Sequence, residues 1–206
     1  MLWSFWEHSF HLIPCGAKEE YIPEYFRKRH TFETEEEVKS RWAKTPRVKW
    51  EHYQRVQPTQ KELTTWLDKF PKANWAALTG INFVVLDADS VEAIDFVDSG
   101  AVMRSPLRQT TPRGGVHFLY SVNPNLEIRN SAGSNKLDIR GVGGYVMLCP
   151  SQDYFFAAPN QYVFDSMDAL PCLGQKDLNA VAEFNNQGKV TSIVKATLDD
   201  HGADIG

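Results

Sequence analysis

The stretch Ile81-Asn82-Phe83-Val84-Val85-Leu86-Asp87-Ala88-Asp89-Ser90 decides how the chain is read. Phe83 to Leu86 is a short apolar run rich in β-branched residues, which predicts a buried strand. Successive side chains along a strand alternate faces, so Asp87 and Asp89 project side by side while Ala88 turns away. Two carboxylates held that close repel each other unless a cation or a proton lies between them. Oxygen ligands on a rigid strand suit Mg²⁺ or Mn²⁺. Two readings follow: a divalent-metal site that binds a nucleotide, or a strand running into a turn with both acids solvated at its end.

Composition narrows the field. With 206 residues, 42% apolar and 12% aromatic, the chain can build one good core or two small lobes and is not disordered. The formal charge of −4 gives no global signature of nucleic-acid binding, although a local basic groove would suffice. Cys15, Cys149 and Cys172 form no CxxC pair and no disulfide framework, which predicts a reducing cytosol and no zinc module. The opening MLWSFWEHSF lacks a basic leader region, and no apolar run approaches the ~20 residues that span a bilayer, so no membrane partner is expected.

Outward from the central strand, residues 1–13 read as a helix or strand entering a turn at Pro14-Cys15-Gly16, with Lys18 just past it. Thr34 and Glu37 form a capping box for a short helix carrying Val38, Arg41 and Trp42. A basic segment follows, with Lys44, Arg47 and Lys49 ending at Trp50. Thr59 and Glu62 cap a second helix with a Leu63, Trp66, Leu67, Phe70 stripe, stopped by Pro71. The apolar runs flanking Gly80 predict a β-hairpin. Ser90 caps a helix over Val91 to Val97. Thr110 to Tyr120 reads as a turn entering a strand with His117 and Leu119 on one face, and Val116, Phe118 and Tyr120 on the other. Lys136 to Arg140 is a strand with Asp138 and Arg140 on one face; a glycine turn and a further strand from Tyr145 to Cys149 follow. Tyr162 to Phe164 reads as an edge strand, Leu178 to Phe184 as a helix, and Thr197 to Gly206 as a polar linker or tail.

Three pieces therefore line up: Asp87-x-Asp89, Gly114-Gly115-x-His117, and Asp138-x-Arg140 ahead of a glycine turn. Each places a polar side chain where its surroundings are apolar, and buried acids need cationic partners. Nucleotidyl transfer uses such a set. Asp87, Asp89 and Asp138 can clamp two divalent ions, His117 can donate to a triphosphate oxygen, and Gly114 and Gly115 let backbone approach phosphate. Arg113, Arg140 and Lys18 are candidate phosphate cations. Each also has a plainer reading, as a satisfied strand histidine, a solvated turn arginine, a surface lysine or a local Asp138–Arg140 pair.

The order VVLDADS, TPRGGVHFLY, LDIRGVGGYVMLCPS resembles the bifunctional primase–polymerase domain of the archaeo-eukaryotic primase superfamily, over about residues 10 to 165. The resemblance implies an α/β (α+β) fold in which an RNA-recognition-like, mixed or antiparallel catalytic sheet with flanking helices joins a smaller N-terminal α/β element. The expected division is a catalytic domain over about 1–165, with lobes at about 1–80 and 81–165, and a helix and linker over 166–206 that lead to a further domain. It implies template-directed synthesis from nucleoside triphosphates on single-stranded DNA, with Mg²⁺ or Mn²⁺ and no zinc, in the replication of a plasmid, phage or mobile element. The compartment would be the cytoplasm of a prokaryotic cell or phage-infected host, with a helicase as a possible associate. Asp87 and Asp89 match the family's acid pair, Asp138 its third acid, His117 its nucleotide-binding histidine, and Lys18 a lysine of its N-terminal motif. Gly115 stands where some members carry serine, and Cys149 where proline is usual. Lys44, Arg47, Lys49 and Trp50 are the candidate template contacts by charge and stacking. The competing classes are a DxD glycosyltransferase, which leaves His117 and the LDIRG strand without roles, and a non-catalytic nucleic-acid-binding module.

Overall fold

The structure is a computed structural model and describes residues 2–123, 125–157 and 170–186. Two of the expectations above, the edge strand at 162–164 and the tail at 197–206, lie outside the described residues. The fold is α+β, with two sheets in which every pairing is antiparallel. Helices α1 (Leu2–Glu7), α2 (Glu24–Arg29), α3 (Glu35–Trp42) and α4 (Gln60–Lys69), with strand β1 (Leu12–Cys15), precede β2 (Asn74–Leu78) and β3 (Phe83–Ala88). Then come α5 (Val91–Asp98), β4 (Arg108–Thr110), β5 (Val116–Ser121), β6 (Leu137–Arg140), β7 (Tyr145–Leu148), β8 (Phe155–Phe156) and α6 (Gln175–Asn186). The small sheet runs β1-β2-β7 and the large one β6-β3-β5-β4-β8.

Local chemistry accounts for the helix starts. Thr34 and Thr59 each accept from the backbone N–H of the residue three on, and Glu37 and Glu62 reach back to the caps, closing both capping boxes. Ser90 accepts from the Ala93 N–H at the start of α5. Leu63 and Trp66 of α4 are buried, as their spacing requires.

Strand alternation sorts the large sheet into two faces. Val84, Leu86 and Ala88 of β3, with Val116, Phe118 and Tyr120 of β5, pack under Ala93 and Val97 of α5 and Val181 and Phe184 of α6. Phe83 and Val85 of β3 and Leu119 of β5 face the other way, into a core shared with the small sheet, α1 and α4. That second face turns polar toward one end, at Asp87 and His117. A separate small cluster of Ile22, Phe26, Val38 and Trp42 joins α2 to α3.

Two local expectations are corrected. There is no hairpin across Gly80: β2 and β3 belong to different sheets, and each is a central strand whose two edges are taken by more distant partners. Gly80 instead turns the chain between sheets at φ 81°, packed so that a Cβ would lie 2.2 Å from the Val142 nitrogen. Pro14 and Cys15 are not a turn but the end of β1, an edge strand, where the missing N–H of proline is tolerated. The small sheet is also not confined to the first 80 residues, because its third strand, β7, follows the LDIR strand in sequence. This swap of β7 back onto β2 welds the two sheets together.

Thr59→Ala is expected to cost about 1 kcal/mol through loss of the cap, and Leu63→Ala about 3 kcal/mol through the cavity left in the shared core. Urea unfolding of the two variants checks this ordering.

Candidate active site

The register of the large sheet sets the site. Asp87 of β3 lies opposite Asp138 of β6 on one side and His117 of β5 on the other. His117 in turn lies opposite Gln109 of β4. Asp138, Asp87, His117 and Gln109 thus form one transverse row across four strands, all on the face that looks toward the small sheet.

Arg140, two residues along β6 from Asp138, reaches into this row. Its Nε and Nη2 donate to Asp87 Oδ2 at 3.0 and 2.9 Å, and Nη2 donates to Asp138 Oδ2 at 2.7 Å. Asp138 Oδ1 accepts the Gly133 N–H at 2.8 Å. Burial pushes the Asp87 carboxyl up, but the His117 ring and the Arg140 guanidinium more than offset this and hold it below the usual carboxylate range. Burial likewise works against the Arg140 charge, and Asp87 and Asp138 more than restore it.

Asp87 Oδ1 is the exception in this network. His117 Nε2 stands 3.4 Å away, within ion-pair range, but without hydrogen-bond geometry, so Oδ1 is buried with no hydrogen-bond partner among the described residues. Asp89 lies one residue past the end of β3, exposed, with its N–H on the Lys136 carbonyl. Partial desolvation, then Asp87 and Asp138, push its carboxyl above the usual range. A carboxyl raised by neighbouring acids and a buried orphan oxygen are the local signs of a place that favours a cation. Among the described residues, no three acids or imidazoles converge as a ready-made metal cage; the guanidinium of Arg140 sits between two of the acids. The donor set is nonetheless all hard oxygen, which fits Mg²⁺ or Mn²⁺.

Gly115 has a role that its sequence context did not reveal. A Cβ there would lie 2.6 Å from Asp89 Oδ1 and 2.9 Å from the Ala88 carbonyl oxygen. The missing side chain makes room for Asp89. Gly114 and Arg113 are exposed in the turn that joins β4 to β5.

A cavity of about 320 Å³ opens over the row, lined by Lys44, Asp87, His117, Asn130, Arg140, Tyr145 and Tyr154 among others. A second, of about 560 Å³, shares Lys44 and Tyr145 with it and adds Arg113, Arg41 and Glu37. Lys44 is therefore not grouped with its sequence neighbours but stands beside the acids. Burial, then Arg113, lower its pKa, with Asp89 and Asp87 pulling the other way. Arg47 is engaged elsewhere, paired with Glu20 and stacked over Trp42 and Phe70. Trp50 packs edge-on against Tyr145, and Lys49 is exposed. The basic segment 44–50 thus forms no continuous stripe. Lys18 pairs with Asp153 and Glu36 at 3.3 and 3.6 Å and lines neither cavity.

Gln109 and Tyr154 are the residues that sequence reasoning missed. Gln109 is fully buried and touches His117. Tyr154 is buried with its ring 5.9 Å from that of His117, and burial, then Asp87 and Asp89, push its phenol well above its ordinary range. For Gln109, a usable signal was the hairpin: a turn over Thr111–Gly115, closed by the Thr111 N–H on the Gly115 carbonyl, brings residue 109 opposite 117.

None of the curated proteins compared with the chain matches it. The family described as bifunctional DNA primase/polymerase, N-terminal, matches over residues 3–171, which includes every acid of the row, His117, Arg140 and both cavities. The chain belongs to the bifunctional DNA primase/polymerase family.

Proposed function

We propose that the row Asp138–Asp87–His117 is a nucleotidyl-transfer centre that extends DNA or primers on a single-stranded template, from nucleoside triphosphates, with Mg²⁺ or Mn²⁺. The observation that carries this reading is the register that sets two acids and a histidine abreast on one face, with a buried Asp87 oxygen left over for a cation. Asp87, Asp89 and Asp138 would hold the metal. Once bound, it would supply Lewis-acid stabilisation of the attacking oxygen and the departing pyrophosphate.

The chain's own groups divide the remaining work. His117 presents Nε2 on the Asp87 side of the cavity, where an N–H can donate to a triphosphate oxygen. Lys44, Arg113 and Arg140 line the two joined cavities as cations for the triphosphate. Arg140 has a second duty, neutralising Asp87 and Asp138 when no other cation does so. Within segment 44–50, Lys44 at the cavities and the exposed Lys49 are the candidate cations for the template, because Arg47 is paired with Glu20. The setting is the replication of a plasmid, phage or mobile element, with a helicase as the associated activity. Among the described residues, no helix is long and apolar enough to cross a membrane.

With Mn²⁺, a primed single-stranded template and nucleoside triphosphates, wild type should incorporate nucleotide. Asp87→Asn should fall to background, and His117→Ala should raise the nucleotide KM about tenfold, the value of one hydrogen bond to a charged group. Incorporation by Asp87→Asn at the wild-type rate would sink the proposal. Gly115→Ala should push Asp89 aside and, through its 2.9 Å approach to the Ala88 carbonyl, lower stability, and the variant that remains folded should bind Mn²⁺ about tenfold more weakly, as for other positioning neighbours of ligands. Isothermal titration with Mn²⁺ alone reads this out.

A further inference from the structure

Gln109 is 0% exposed, and a buried amide has to satisfy both its ends. Its partners are two backbone groups of the β7 segment. The Cys149 N–H donates to Oε1 at 3.1 Å, and Nε2 donates to the Met147 carbonyl at 2.6 Å. A backbone N–H can only donate and a carbonyl can only accept, so these two contacts fix which end of the amide is oxygen and which is nitrogen. Nε2 then has one hydrogen left, and His117 Nδ1 lies 2.9 Å away. Nδ1 must accept it. The neutral imidazole therefore carries its own hydrogen on Nε2, the nitrogen 3.4 Å from Asp87 Oδ1 at the cavity.

The same amide explains how the two sheets meet. β7 pairs with β2 through one edge, Met147 opposite Ala76. Among the described residues no strand pairs with its other edge, which meets Gln109 of the large sheet. Gln109 presents a C=O and an N–H to that edge, in the manner of a neighbouring peptide, and so hands the position of the small sheet on to the histidine.

We propose that Gln109 is the positioning residue for His117. Clamped on the Met147 carbonyl and Cys149 N–H, it holds the imidazole ring and its tautomer so that an N–H, not a lone pair, meets the triphosphate. The proposal rests on the reading of His117 as a nucleotide ligand, and goes beyond it by naming what makes the histidine a donor.

Long-range ¹H–¹⁵N spectra of the full chain, labelled at histidine, test the first half without any variant or nucleotide. The His117 signals are expected to show the hydrogen on Nε2; a hydrogen on Nδ1 overturns the proposal. Gln109→Glu cannot donate to Nδ1 and should draw the hydrogen there, reversing the pattern, while Gln109→Met, of similar volume, should leave the ring without a fixed tautomer. Either variant should raise the nucleotide KM about tenfold with a smaller change in kcat, the value of one hydrogen bond to a charged group. Combined with His117→Ala, neither should add to the loss, because the effect passes through the ring. Losses that add, or a Gln109→Met enzyme with wild-type KM, would reduce Gln109 to a joint between sheets. If the wild-type spectrum is as expected but His117→Ala binds nucleotide like wild type, the reading of His117 as a phosphate ligand has failed, rather than the hold of Gln109 on the ring.

Discussion

The Arg140 guanidinium between Asp87 and Asp138 is the contact on which the acidic face of the large sheet depends. Antiparallel pairing of β3 with β6 sets the two carboxylates directly opposite each other. Like charges in that position destabilise a sheet, and Asp87 is also buried, so a large desolvation cost comes on top. A cation has to be present for this face to exist. Arg140 provides one from within the same strand, in reach because residues two apart share a face. The arrangement makes the acid pair stable in the protein alone while leaving Asp87 Oδ1 and the Asp89 carboxyl free of its grip. The proposed metal would compete with Arg140 for the same negative charge, so its binding would leave the guanidinium free to turn toward a triphosphate.

The rest of the architecture serves to keep that row in place. The back of the large sheet is sealed by α5 and α6, so the acids can face only forward. In front, the small sheet packs on Phe83, Val85 and Leu119 and stops short of Asp87 and His117. The cleft is what remains where this apolar contact ends. β7 is the hinge pin of the arrangement: it joins β2 by backbone pairing and the large sheet by the Gln109 amide. Ser151, just after it, closes a second tie by exchanging hydrogen bonds with both backbone groups of Trp75.

Much of this was legible in the sequence wherever one local rule acts alone. The caps at Thr34, Thr59 and Ser90 follow from side-chain chemistry within four residues, and the two faces of β3 and β5 follow from alternation. The grouping of Asp87, His117 and Asp138 was legible as three motifs because each interrupts an apolar pattern. What was not legible depends on distant pairing. The runs around Gly80 look like a hairpin locally, but both strands are claimed on both edges by partners far along the chain. Lys44 and Arg47 are three residues apart, yet one faces the acids and the other is spent on Glu20. Gln109 sits in a three-residue strand, Arg108-Gln109-Thr110, too short and too polar to show a period. The Thr111–Gly115 turn places it opposite His117, but its anchorage comes from β7, 38 residues later, and no local signal carries that part.

Diffraction from crystals soaked in Mn²⁺ and a non-hydrolysable nucleoside triphosphate, with anomalous differences recorded for manganese, would locate the cation relative to Asp87. Manganese is expected on Asp87 Oδ1, with Asp89 and Asp138 beside it, Arg140 turned from the acids to the phosphates, and His117 Nε2 on a phosphate oxygen. Manganese bound away from Asp87, with Arg140 still between the two acids and the triphosphate elsewhere, would contradict this placement.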